Sequence, residues 1–251
     1  MKHTLLSAVS PLAVLAGFYM ALPSTADAAL ICTAGNVVGS GTCAETVAIG
    51  PQGLELTNAV LTLDRFVSNA SPGFFETLTS VKVTGTGSYA STGSLRNVNE
   101  GTISFSISAY STLSFTAGSG APSIFLTSPL LVSGASPPVT FTLSAGASAS
   151  YSPMFPYGSA MQTSTSGLSG FFGPGTFQAL ASTSSGFTIT GGNDSVFVSV
   201  FPTATANLTI EYDFFNAALP PPPPVPTPEP ASLATLVAGL AGLGALRRRK
   251  G

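Results

Sequence analysis

Apolar and polar residues alternate with a period of two along most of the central chain. In residues 102–110, Ile103, Phe105, Ile107 and Ala109 fall on one face, with serine and threonine hydroxyls on the other, the pattern of a half-buried strand. The same alternation recurs at residues 61–63, 81–83, 113–115, 139–143, 187–189, 196–201 and 208–212. Gly, Pro, Asn and Ser separate these runs, as in Gly191-Gly192-Asn193-Asp194, and such residues punctuate strands with turns. Within residues 29–218 no window of ten or more keeps a helical period. Many short strands divided by turn signals predict an all-β ectodomain, an antiparallel β-sandwich or jelly-roll. The density of Gly, Pro and Ser between Gly118 and Gly175 predicts long loops there.

The two ends break this pattern. Residues 1–28 carry Lys2 and His3, then an apolar run over 12–22, then small residues ending in Ala26-Asp27-Ala28. This is the three-part layout of a secretory signal peptide, with cleavage after Ala28 and a mature chain starting at Ala29. At the other end, residues 231–246 form an uncharged Ala/Gly/Leu run followed at once by Arg247-Arg248-Arg249-Lys250, four of the eight basic residues in the chain. As a helix, sixteen residues reach about 24 Å against a hydrocarbon core of roughly 30 Å. Thinning of the bilayer or snorkelling of the arginines closes such a gap. The expectation is one short C-terminal transmembrane helix with its basic end in the cytoplasm and the domain outside. Residues 219–230 form a linker between domain and helix. Eight prolines fall within its residues 220–230, which predicts a polyproline II spacer of about 34 Å.

The composition narrows the function classes. The 251-residue chain is 44% hydrophobic and only 7% charged, with formal net charge -2, where charged residues make up about a quarter of an ordinary domain. No basic footprint for nucleic acid exists. His3, the single histidine, lies in the segment read as a signal peptide, so the mature domain lacks imidazole. That removes the commonest general base and metal ligand and with them any Ser-His-Asp or Cys-His machinery. From Thr102 to Asn193 no residue is charged.

The chemistry that remains is sparse. Cys32 and Cys43 are the only cysteines, and an even pair in an exported chain predicts a disulfide. Glu211 and Asp213, two apart on a strand, share a face and are the pair that a two-carboxylate glycosidase would use. Exported β-domains also hold calcium with carboxylates and loop carbonyls. Gly191-Gly192-Asn193-Asp194 fits such a ligand loop and equally a hairpin turn, and no cofactor or metal is assigned. Asn69, Asn193 and Asn207 head Asn-x-Ser/Thr triplets. Tyr151, Phe155, Tyr157, Phe171 and Phe172 fit either a sugar-stacking platform or core.

Two resemblances add to this reading. The triplet Pro228-Glu229-Pro230, the short apolar helix and the terminal run Arg247-Arg248-Arg249-Lys250 resemble the PEP-CTERM sorting signal of Gram-negative bacteria. The resemblance implies that an exosortase-type membrane enzyme recognises the triplet and that the basic run is the stop. Residues 61–66 (Leu61-Thr62-Leu63-Asp64-Arg65-Phe66), 78–83 (Leu78-Thr79-Ser80-Val81-Lys82-Val83) and 208–214 resemble the choice-of-anchor E domain, a secreted β-rich family without associated catalytic residues. The expectation is an exported, non-enzymatic surface or extracellular-matrix protein, transiently anchored in the inner membrane. The alternatives are an exopolysaccharide-binding module and, less favoured, a glycosidase.

Overall fold

The computed structural model describes residues 25–26, 30–32, 38–53, 55–68, 74–192, 195–221 and 230–248. It divides into two units, residues 1–217 and 218–251. The signal peptide expected over residues 1–28 lies outside the described residues except for Thr25–Ala26, and so do Ala28 and Ala29.

The first unit is two antiparallel sheets. In chain order its strands are β1 (Thr25–Ala26), β2 (Ile31–Cys32), β3 (Gly39–Gly53), β4 (Ala59–Asp64), β5 (Phe74–Asn97), β6 (Ile103–Ala117), β7 (Leu130–Ala135), β8 (Val139–Leu143), β9 (Ser148–Tyr151), β10 (Met154–Pro156), β11 (Ala160–Ser164), β12 (Thr176–Gly191) and β13 (Val196–Ala218). A 3-10 turn, Leu168–Phe171, precedes β12. The eight-stranded sheet runs β1-β3-β13-β5-β10, with β2 also on β3 and with β9 and β11 also on β5. The five-stranded sheet runs β4-β12-β6-β7, with β8 beside β6.

The predicted β-sandwich is thus present, but its principal strands are longer than the sequence runs that announced them. Residues 102–110 and 113–115 belong to one strand, β6, and residues 196–201 and 208–212 fuse into β13, 23 residues long. Turn-type residues inside these strands do not end them, because each meets a local requirement of the sandwich. Gly85 and Gly87 of β5 lie on its inward face. A Cβ on Gly85 would sit 2.6 Å from the Phe115 ring, and one on Gly87 2.9 Å from the Leu113 side chain, so the facing sheet occupies the missing volume. Pro202 of β13 lies beyond Thr203, the last residue paired with β3, so its missing N–H interrupts no bond of that ladder.

Residues 118–175, where long loops were expected around the run 139–143, carry that run as β8 and four further short strands, β7 and β9 to β11. Three of them, β9, β10 and β11, line up in succession along β5. Phe125, Leu126, Tyr151, Phe155, Tyr157 and Phe171 from this stretch are buried. The polar spacing in the sequence hid apolar anchors placed one at a time.

Between the sheets, alternation becomes core. Ile103, Phe105, Ile107, Ala109, Leu113 and Phe115 of β6 face Val81, Val83, Tyr89 and Leu95 of β5 and Leu208, Ile210, Tyr212 and Phe214 of β13 within one cluster. Full burial of each large side chain contributes about 1.5–3 kcal/mol relative to exposure, enough in sum to hold a sandwich with so few charges.

The second unit contains α1 (Pro230–Arg248). Pro230 at the first position suits a helix start, since its missing N–H has no intrahelical partner there. Arg247 and Arg248 in the last turn complement the helix dipole. The helix was expected and forms, but no helix among the described residues is long and apolar enough to cross a membrane. The transmembrane span expected of this tail is therefore not shown. The two arginines sit inside the helix, and the uncharged run between Pro230 and Arg247 is only sixteen residues, about 24 Å where roughly 30 Å is needed.

Candidate functional site

Only part of the tail lies among the described residues. Pro228, Glu229, Arg249 and Lys250 lie outside them, as does most of the proline-rich linker. Pro230 opens α1, and Arg247 and Arg248 close it as exposed residues.

Cys32 and Cys43 are bonded, with 4.0 Å between their Cα atoms. They face each other across the β2–β3 pair. Alternation on β3 points Cys43 into the core beside Val47 and Ile49. The disulfide therefore stitches a two-residue strand, too short to hold by its own ladder, onto the edge of the large sheet.

The described carboxylates are largely committed to structure. Glu211 and Asp213 do share the outer face of β13, as their spacing predicts. Lys82 Nζ lies 3.0 Å from Glu211 Oε1, and the Ser80 hydroxyl donates to Asp213 Oδ2. Both partners come from β5, so the two acids tie neighbouring strands together. Glu55 Oε1 accepts from the N–H and the hydroxyl of Ser185, both at 2.6 Å, which terminates the ladder beside β12.

Glu45 is the acid that alternation alone places inside: it sits on the inward face of β3 and is 5% exposed. Its Oε2 accepts the Asp64 N–H at 2.8 Å, and the buried Tyr212 hydroxyl donates to the Asp64 carbonyl at 2.6 Å. Burial pushes the Tyr212 phenol far above its ordinary range, Glu45 and Asp64 reinforce the shift, and Arg65 opposes it. Arg65 donates from Nη1 to the Gly170 carbonyl at 2.7 Å and from Nη2 to the Gly120 carbonyl at 2.9 Å. Phe66 packs on Phe214 at 5.2 Å and on Tyr212 at 5.9 Å between ring centroids. The segments 61–66 and 208–214, far apart in sequence, thus meet at one end of the sandwich. This cluster fastens loops to the core, and sequence reading missed it: a glutamate at an inward strand position and an arginine directly after a strand were the available signals.

Of the aromatic candidates, Tyr151, Phe155, Tyr157 and Phe171 are core residues at 1–5% exposure, so the sugar platform expected as one option from them does not exist. Phe172 alone is exposed, at 43%, and its ring packs 5.6 Å from Phe66. The loop Gly191-Gly192-Asn193-Asp194 loses its test, because Asn193 and Asp194 lie outside the described residues. Among the described residues no group of three or more His, Cys, Asp or Glu side chains gathers to hold a metal ion. Asn207 lies in the middle of β13 opposite Ala48, while Asn69, like Asn193, is outside the described residues.

With the tail and the domain placed, comparison with known proteins decides which of them carries an address. Residues 226–250 match the PEP-CTERM protein-sorting motif. The match spans the Pro228-Glu229-Pro230 triplet, α1 and the basic run. A PEP-CTERM motif marks an exported protein sorted to the cell envelope and implies recognition by an exosortase-type processing enzyme. No curated protein matches the chain. Among solved structures, the infectious bursal disease virus Gt strain aligns at 14% identity over 76% of this chain and 47% of the viral one, with a TM-score of 0.14. The Gx strain of that virus aligns at 13% identity over 68% and 41%, also with a TM-score of 0.14. The chain spans less than half the length of either viral chain.

Proposed function

We propose that the protein is an exported, non-enzymatic component of the cell surface or extracellular matrix of a Gram-negative bacterium. The observation that carries this reading is the sorting motif at residues 226–250. In it, residues 1–28 direct export and are removed after Ala28, and the tail holds the chain transiently at the inner membrane. An exosortase-type enzyme then recognises Pro228-Glu229-Pro230, with Arg247, Arg248, Arg249 and Lys250 as the cytoplasmic stop. The disulfide supports an oxidising destination. The convergence of segments 61–66, 78–83 and 208–214 on β4, β5 and β13 supports kinship with choice-of-anchor E domains. The absence of imidazole from residues 4–251 and the engagement of Glu211 by Lys82 speak for a non-enzymatic role and against a glycosidase at that pair.

Two variants in the native host test the reading: Glu229→Ala, and deletion of residues 231–251. Both are expected to leave an unprocessed or mislocalised chain, read by the mass of the mature protein and by fractionation. Unchanged processing and location in both variants overturns it. Exopolysaccharide binding is kept as a second reading, on the outer face of the five-stranded sheet.

A further inference from the structure

The outer face of the five-stranded sheet carries rows of hydroxyls around one aromatic ring, with the apolar Leu131 and Val60 exposed farther out on β7 and β4. Tyr110 of β6 points outward and is 49% exposed. It pairs with Gly186 on β12 and with Ala135 on β7, so the residues on either side of it are the two smallest. A Cβ on Gly186 would lie 2.4 Å from Tyr110 Oη and 2.5 Å from Cζ. The phenol therefore lies across the neighbouring strand, over the place where a side chain would stand, and the ring is laid along the sheet rather than erect from it.

Hydroxyls flank the ring along both strand directions. Ser108 pairs with Thr188 on one side, and Ser184, Thr112 and Ser133 form a cross-strand row on the other. Farther along the same face, Ser106 and Thr140 hydroxyls meet at 2.7 Å and Ser104 and Thr142 at 2.8 Å. These strands lie wholly within the uncharged stretch from Thr102 to Asn193, apart from β4 at the far edge.

We infer that this face is a binding platform for a neutral polysaccharide chain, with a sugar ring stacked on Tyr110 and its hydroxyls exchanged with the serine and threonine rows. The inference deepens the second reading above and rests on the proposed export only for its setting. An aromatic side chain offers a flat apolar face beside a polar edge, and a pyranose has the same division between its C–H face and its hydroxyl rim. An array of hydroxyls, each donor and acceptor at once, suits a ligand built of hydroxyls. It gives a charged polymer no counter-ion.

The experiment is affinity electrophoresis of the full-length protein through gels containing hydroxyethylcellulose, dextran or galactomannan, with the polyanion alginate as comparison. Retardation is expected in at least one neutral polymer and not in alginate. Tyr110→Ala is expected to weaken the apparent association at least fivefold, and Tyr110→Phe to stay within twofold of the parent, since the ring face is kept. Thr188→Arg, at an exposed position that the fold does not need, is expected to weaken it at least fivefold by covering the platform, which keeps the test decisive if Tyr110→Ala loses stability. Migration unaffected by all three neutral polymers overturns the inference, as does binding by Tyr110→Ala and Thr188→Arg equal to the parent, which would leave Tyr110 as a cover for its glycine partner. Because sorting is read separately on Glu229→Ala, failure here leaves the export reading standing, and failure there leaves this one.

Discussion

Two tyrosines in the same core show how a single oxygen decides the sign of a substitution. The Tyr212 hydroxyl donates to the Asp64 carbonyl, whereas the Tyr89 hydroxyl is buried without a hydrogen-bond partner among the described residues. Removing one partner of a buried hydrogen bond costs about 1–3 kcal/mol, while removing an unsatisfied group costs little or stabilises. Tyr212→Phe is therefore expected to destabilise by about 1–2 kcal/mol and Tyr89→Phe to leave stability equal or higher, measured by denaturant melts. Burial also raises the Tyr157 phenol, against the lowering effect of its bond with Ser111. A phenol whose folded value lies above its unfolded one near 10 contributes stability that is present at neutral pH and is lost as pH rises past 10, because only the unfolded chain ionises there. Unfolding free energy is expected to fall above about pH 10, and Tyr212→Phe to flatten that fall. Ultraviolet titration of the folded protein checks it: Tyr212 and Tyr157 stay protonated above the ordinary phenol range near pH 10. None of these roles was legible in the sequence, since the partners come from segments 46 and 148 residues away.

At the scale of elements, the strand faces were legible and the strand ends were not. Period-two alternation named the inward residues of β6 and the C-terminal half of β13 correctly, because a strand's two faces differ in hydration whatever its neighbours are. Length is set instead by pairing: β12 extends to Gly191 because β6 supplies partners over its whole run from Phe105 to Ala117. The same logic makes Gly85 a test of sheet spacing. Gly85→Val is expected to cost about 1–3 kcal/mol through overpacking against Phe115, and Gly85→Val with Phe115→Leu to recover part of it. Asn97 shows a turn residue becoming a clasp. It is fully buried, with its amide nitrogen 2.7–3.0 Å from the carbonyls of Gly101, Leu143 and Ser144 and its oxygen accepting the Asn99 N–H. Asn97→Ala removes these bonds and is expected to destabilise by about 2 kcal/mol or more, checked by thermal unfolding. The alternation pattern did not reveal this tie to β8.

For the molecule as a whole, an address at the tail sits beside a domain stabilised for life outside the reducing cytosol. The eleven-residue separation of Cys32 and Cys43 corresponds to about 3 kcal/mol of loop-closure entropy in the chain-entropy account. Reduction is expected to lower the melting temperature by about 6–12 °C at this domain size, and calorimetry with and without a thiol reductant reads it directly. The sequence by itself determined the class of fold, the disulfide and the sorting motif. Each of those rests on local composition, or on spacing that the chain carries wherever it folds. Only the tertiary structure decided that Glu45 is buried while Glu211 is paired with Lys82, that four loop aromatics are core, that four short strands flank β8 within residues 118–175, and that Tyr110 lies over Gly186. These depend on which distant strands become neighbours, and that is settled by the joint burial of two faces, which no local stretch of sequence encodes.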